Sequence, residues 1–475
     1  MNKYIVIILM MILCVLPSFS HEQAMRTVSY PGGKCYMYRI MLKDKYGTPF
    51  SLERPQKYLS EKSIERRKRQ NIAIDSTDLP ISPIYISEIE DRGIKIVSHS
   101  KWNNSLLVRS QNKKLLEGLV KLPFVKGIIK AWTSPDSVTI NYKADHVRDE
   151  FNPWDSISGH KYGAAEEQIR MLNGIPLHEA GYKGRGMSIA VLDGGFMNAN
   201  TIPCIKDINI LGTRDFVYPK SEKFYGEQEH GTAVLSIMGT RHPYIYIGTA
   251  PAASFWLLRC EDFQSESTAE EDYWAEAVEF ADSVGVDVIN SSLGYQNFDD
   301  ESSSHTYEEL NGITALISRT ASMVAGKGMV LINSAGNDGM GTWKKINFPA
   351  DAKDIITVGA VSPNGINAPF SSIGPTQDGR VKPDVMALGS PAQVISGRGT
   401  IISDMGTSFS APIVAGLVAC LWQALRDKTA LQIIDIVRKS GNNYKTPNNI
   451  FGYGIPDFWK AYNYGINLNN SKKTD

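Results

Sequence analysis

Two stretches of this chain, Ser188-Ile189-Ala190-Val191-Leu192 and Met329-Val330-Leu331-Ile332, are apolar almost without a break. A strand with one wet face alternates apolar and polar residues, whereas a strand covered on both faces reads as a continuous apolar run. From about residue 162 such runs alternate with helical patterns. That alternation predicts an α/β fold with a mostly parallel sheet and crossover helices. Strands are expected over 187–192, 254–258, 286–291, 329–334 and 355–361. Helices are expected over 232–238, 271–284 and 307–326. A further helix over 408–425 is apolar nearly all round, which predicts deep burial.

The preceding part of the chain has a different texture. Residues 34–132 read as a small α+β unit, with strands over 36–42, 94–97, 105–109 and 125–131 and helices over 60–70 and 114–120. A polar stretch rich in turn residues, 133–161, suits a linker. The sequence therefore divides into 1–20, 21–132, 133–161, 162–463 and a polar tail, 464–475. At 475 residues the chain has room for one large domain and one small one.

The first 20 residues read as a cleaved export signal. Lys3 precedes an apolar run, and Pro17-Ser18-Phe19-Ser20 follows it. The run is about 13 residues, short of the ~20 a spanning helix needs. Leu13 before Cys14 is too bulky for a usual lipid-anchor site. No later segment reads as long and apolar enough to span a bilayer. Export makes disulfides possible among Cys35, Cys204, Cys260 and Cys420, and four cysteines leave three full pairings open. No C-x-x-C or H-E-x-x-H motif suggests zinc. Lys+Arg and Asp+Glu both number 50, so no charge excess calls for nucleic acid or an anionic membrane. The one dense basic run, Arg66-Arg67-Lys68-Arg69, is expected on a solvated helix face.

Three segments carry chemistry. In Ile189-Ala190-Val191-Leu192-Asp193-Gly194-Gly195, a carboxylate ends a buried strand, a common place for a functional group in open α/β sheets. In His230-Gly231-Thr232, a histidine, the usual proton shuttle near neutral pH, stands at the mouth of a helix. In Gly406-Thr407-Ser408-Phe409-Ser410-Ala411-Pro412, a serine opens the apolar helix, where free backbone N–H groups can hold an oxyanion. Each has a plain structural alternative: a turn aspartate, a capping histidine, an N-cap serine.

Together they follow the order Asp, His, Ser that subtilisin uses. With Ser291-Ser292-Leu293-Gly294, Ser334-Ala335-Gly336-Asn337, Asn347-Phe348-Pro349-Ala350, Val358-Gly359-Ala360-Val361, Lys382-Pro383-Asp384-Val385 and Gly452-Tyr453-Gly454, the chain resembles the subtilisin family of serine peptidases over about 162–463. The resemblance implies a three-layer subtilisin-like fold and an exported, secreted or periplasmic, serine endopeptidase. It implies Asp193, His230 and Ser408 as triad and Asn337 as oxyanion donor. Ser292, Leu293, Gly294, Ala335 and Gly336 would frame the cleft for protein or peptide substrates. Residues 21–132 resemble a subtilisin-type propeptide, an intramolecular inhibitor cut from the chain within about 131–161; a retained accessory domain is the alternative. No cofactor is required by this chemistry. Structural calcium is conceivable near Asp299-Asp300-Glu301 or Glu261-Asp262, but no metal is assigned. Two positions depart from the family pattern: Gly194 stands where Ser or Thr is usual, and Phe409 where Met is usual. The rival functions are an inactive peptide-binding relative and an esterase, and the latter would need a different motif and residue order.

Overall fold

The computed structural model describes residues 24–29, 33–135, 137–142 and 158–471. The expected export signal, most of the expected linker and the final four residues lie outside that set. The N-terminal unit is a four-stranded antiparallel sheet of β1 (Tyr36–Leu42), β2 (Lys95–Ser100), β3 (Ser105–Ser110) and β4 (Val125–Thr133), in the order β2-β3-β1-β4. Helices α1 (Glu61–Arg69), α2 (Pro83–Glu90) and α3 (Lys113–Gly118) connect its strands. Helix α2 was not anticipated. Its proline sits at the first turn, where a missing N–H costs nothing.

The larger unit is built on seven parallel strands: β5 (Ser188–Asp193), β6 (Asn209–Asp215), β7 (Ser254–Arg259), β8 (Val288–Ser291), β9 (Val330–Ser334), β10 (Ile356–Val361) and β11 (Val385–Leu388). Their order is β11-β10-β9-β8-β5-β7-β6. Every residue of β5, β8, β9, β10 and β11 is buried, which is why those strands carry no alternation. From β5 the chain first forms the edge strand β6, returns as β7 between β5 and β6, and then crosses to β8 and continues the other way. Helices α4 (His230–Gly239), α5 (Ala269–Ser283), α6 (Leu316–Met323), α7 (Thr407–Ala424), α8 (Ala430–Ser440) and α9 (Phe458–Ser471) complete the unit. Apolar residues on the two sides of the sheet form two separate cores.

Four expectations need correction. The helix expected over 307–326 is confined to α6, because the chain turns at Gly312 (φ +81°), whose N–H donates to Asp351 Oδ2 at 2.7 Å. The polar tail expected from 464 is the second half of α9, with Tyr464, Ile466 and Leu468 packed against the core. Helix α7 is long and apolar enough by composition to cross a membrane, but 83% of it is buried against β8 to β11 and α4. Finally, Arg66 and Arg67 are each only 1% exposed.

Those two arginines belong to the contact between the units. Along α5, Asp272, Glu276, Glu279 and Asp282 are spaced by three or four residues and so share one face. Arg39 meets Asp272 at 2.7 Å. The Ser98 hydroxyl donates to Glu276 at 2.7 Å, and the Lys101 and Trp102 N–H groups donate to Glu279 at 2.7 and 3.1 Å. Arg67 reaches both oxygens of Asp282 at 2.9 Å, and Arg66 closes on the same carboxylate. Charges this deep are tolerated only when paired and hydrogen-bonded. The four cysteines left open as disulfide partners are all free and buried.

Candidate active site

Parallel sheets of this kind hold ligands outside the carboxyl ends of their strands, where the strand order reverses. Here that point lies between β5 and β8. Strand β5 delivers Asp193 there, β8 runs on into 292–294, and β9 runs on into 335–337. Helix α4 begins with His230, and α7 with Thr407 and Ser408. A cleft of about 290 Å³ opens among them, lined by His230, Ser408, Asn337, Ser292, Leu293, Gly294 and Gly336, together with Glu261, Ser334, Asp338, Asn347 and Thr407. Larger cavities of about 680 and 630 Å³ lie away from these groups, so size alone does not locate the site.

Asp193 is fully buried and accepts the Gly194 N–H at 2.8 Å. Its two oxygens also face His230 Nδ1 at 3.0 and 2.9 Å. A carboxylate can only accept, so Nδ1 carries the hydrogen and Nε2 is left as the base. Burial disfavours the imidazolium, but the charge and hydrogen bond of Asp193, helped by Glu261 and Asp404, outweigh it and raise the ring to about 9. The Phe409 ring tilts against the imidazole at 5.7 Å between centroids. Gly231 permits this approach: a Cβ there would run into the Gly195 carbonyl and the side chains of Phe196 and Asp193.

Ser408 is the second residue of α7, where backbone N–H groups have no partner within the helix. Its hydroxyl donates to the Ser292 carbonyl at 3.2 Å, and Ser292 Oγ returns a bond to the Ser408 carbonyl at 2.8 Å. No hydrogen bond joins Ser408 to His230. Catalytic hydrogen bonds commonly tighten only when substrate binds. Asn337 Oδ1 accepts from the Thr407 N–H and hydroxyl, both at 3.0 Å. That fixes the amide so that its NH₂ is the half left for the cleft. Gly336 holds the adjoining turn at φ +104°, and a Cβ on it would strike Asn347 and Ser372.

The residues singled out from the sequence therefore converge, with one exception. Ala335 is fully buried, with its N–H on Val358 O at 2.9 Å and its carbonyl taken by Asn347 N at 3.0 Å. It braces the wall from behind. Two neighbours were not placed in the cleft by the sequence, where Glu261 was named only as a conceivable calcium ligand. Thr407 orients Asn337, and it had only its place before Ser408 to mark it. Glu261 enters the cleft because Gly194 has no side chain, a relation that 66 intervening residues conceal.

A profile of the subtilase family (peptidases S8) matches residues 184–454, more than half of the chain. The chain belongs to the subtilase family. Membership makes it a serine peptidase by family. A peptidase S8 propeptide domain described for Bacteroidota matches residues 37–146, so the N-terminal α+β unit of this subtilase is the propeptide region. Subtilisin NAT of Bacillus subtilis subsp. natto is 27% identical over 368 residues, covering 77% of this chain and 82% of the relative. Subtilisin E of Bacillus subtilis (strain 168) gives the same figures. A subtilisin of Bacillus pumilus is 28% identical over 289 residues, covering 60% of this chain and 94% of its own length.

Proposed function

We propose that this subtilase is an exported serine endopeptidase, made as a zymogen, in which Ser408, His230 and Asp193 cut peptide bonds. The observation that carries the reading is the orientation of His230. Its Nδ1 is held by the buried Asp193 carboxylate, and its ring lines the same cleft as the Ser408 hydroxyl.

The chemistry follows from those positions. Ser408 Oγ leaves the Ser292 carbonyl and bonds to the substrate carbonyl carbon while its proton passes to His230 Nε2. Asp193 stabilises the imidazolium formed. The carbonyl oxygen becomes an oxyanion, which the Asn337 amide and the Ser408 backbone N–H meet as donors. His230 then protonates the leaving amine as the C–N bond breaks. Water repeats the sequence and releases the acid. The backbone of 292–294 offers an edge to an extended substrate; Gly294 N–H and C=O make no hydrogen bond to the described residues. Gly336 leaves room on the other side. Ala335 supports that wall and does not contact substrate.

The reading extends to maturation. An export signal over 1–20 and cleavage within about 131–161 would release the N-terminal unit, which acts until then as an intramolecular inhibitor. The decisive experiment compares secreted wild type with Ser408→Ala. Wild type is expected to lose its N-terminal unit, to cleave casein and to take a fluorophosphonate label, and the variant to do none of these. Turnover of a p-nitrophenyl ester without casein cleavage would replace the peptidase reading with an esterase. A folded wild type that takes no label would replace it with a peptide-binding protein.

A further inference from the structure

Apart from His230, the charged side chains of the cleft are all acidic. Its lining includes two carboxylates, Glu261 and Asp338, and neither lysine nor arginine. Asp338 has its N–H fixed by Ser372 Oγ at 3.0 Å. Glu261 follows β7 and reaches the cleft through the space that Gly194 vacates; a Cβ on Gly194 would collide with Glu261 Oε2. Its carboxylate forms no hydrogen bond or ion pair with any described residue. Arg259, whose charge also acts on Glu261, pairs through Nη1 with Asp215 at 3.4 Å and Glu227 at 3.1 Å. Burial and the neighbouring charge of Asp193 push the Glu261 carboxyl up to about 7, with His230 pulling the other way. Half-buried carboxylates are ordinarily paired. This one faces the space that the substrate enters.

The sheet order decides which part of a substrate it meets. Glu261 follows β7 and Asn337 follows β9, and these strands flank β5 and β8 on opposite sides. The cleft therefore has two walls, with 292–294 between them. One is built from His230 and Glu261, the other from Gly336, Asn337 and Asn347. A peptide laid along 292–294 turns successive side chains to opposite sides. If the residue whose carbonyl is attacked faces the Gly336 and Asn347 wall, the residue before it faces the His230 and Glu261 wall.

We infer that Glu261 is a specificity-determining residue of the proposed peptidase, selecting substrates with a lysine or arginine immediately before the residue whose carbonyl is attacked. The selection works by giving Glu261 the cationic partner that no described residue supplies, and a charge-assisted bond at such a site is worth about tenfold or more. It rests on the peptidase reading given above.

The test uses mature wild type and the Glu261→Gln and Glu261→Asp variants, each assayed on two peptides that differ only in Arg or Leu at that position. Wild type is expected to favour the Arg peptide in kcat/KM by at least about tenfold. Glu261→Gln should bring the ratio to within about twofold, and Glu261→Asp should retain part of it. An equal ratio in wild type and Glu261→Gln overturns the inference, as does a wild type that favours Leu. Should wild type cleave neither peptide, the peptidase reading falls on its own. The affinities of Ser408→Ala and of Ser408→Ala/Glu261→Gln for the same peptides, measured after the N-terminal unit has been removed with an added protease and requiring no chemistry, then decide the inference by the same ratio.

Discussion

Asp282 and Asp193 are both carboxylates removed from water, and both hold a nitrogen base, yet they serve opposite ends. At the junction of the two units, both oxygens of Asp282 are taken by Arg66 and Arg67, and Arg67 is held from its other side by Asp78 at 2.7 Å. Nothing in that cluster is left to react. At the cleft, Asp193 holds one nitrogen of His230, and the second nitrogen bonds to no described residue. The same pairing is structural where the carboxylate is held by guanidinium groups that keep their protons and chemical where the partner ring has a second nitrogen free to take one. Arginine suits the first use because it does not give up its proton, and histidine suits the second because it does.

The difference can be broken at either end. The largest effect is expected at the cleft: Ser408→Ala, freed of its N-terminal unit by an added protease, should lower kcat for peptide cleavage by about a millionfold, the scale at which loss of the nucleophile acts in triad hydrolases, with circular dichroism matching that of mature wild type. At the junction, Asp282→Ala leaves two buried guanidinium groups without their carboxylate. In the Ser408→Ala background it should weaken the hold of the N-terminal unit by about 3–5 kcal/mol, read as an earlier urea midpoint for exposure of that unit. Replacing Arg66, Arg67 and Asp282 together, as Arg66→Met, Arg67→Met and Asp282→Leu, leaves Asp78 to Lys327 at 3.0 Å and should recover much of that loss; if it does not, the cluster does more than satisfy itself. Asn337→Ala should lower kcat by about 10²–10³ with little change in KM.

The smallest effect concerns pH. His230 acts as a base only when neutral, and its neighbours raise it to about 9 from the ordinary 6.5. Activity should therefore climb as pH rises through the neutral and alkaline range, with the half-height of kcat/KM above pH 6.5 and displaced toward 9. Glu261→Gln removes one of the charges that favour the imidazolium and should move that half-height down. A half-height at or below 6.5 in wild type would mean that Asp193 does not outweigh the burial of the ring.

How far the sequence foretold this depends on what each residue answers to. Strands β5, β8, β9 and β10 were legible within about two residues because burial on both faces leaves an apolar run, and these runs are too short for a core helix such as α7. Strand β6 was missed because it lies at the sheet edge and is largely exposed, so Asn209–Asp215 reads as loop. Strand β11 was missed because four residues after a Lys-Pro-Asp turn carry no period. Asp193, His230, Ser408 and Asn337 were legible as types in a fixed order, since each role admits few side chains. Arg66 and Arg67 were misplaced because a charged helix face looks solvated until a complementary acidic face is known to cover it. The role of Glu261 was hidden for the same reason: its meaning lies in a side chain that Gly194 does not have.

The acidic row on α5 has a practical consequence. While Arg39, Arg66 and Arg67 lie against it, four carboxylates within eleven residues are masked. Departure of the N-terminal unit would uncover them as a dense anionic ribbon along one helix. The shortened enzyme should then bind an anion-exchange resin more tightly than its precursor, so that one chromatogram run in modest salt would resolve the two forms and report maturation without any assay of activity.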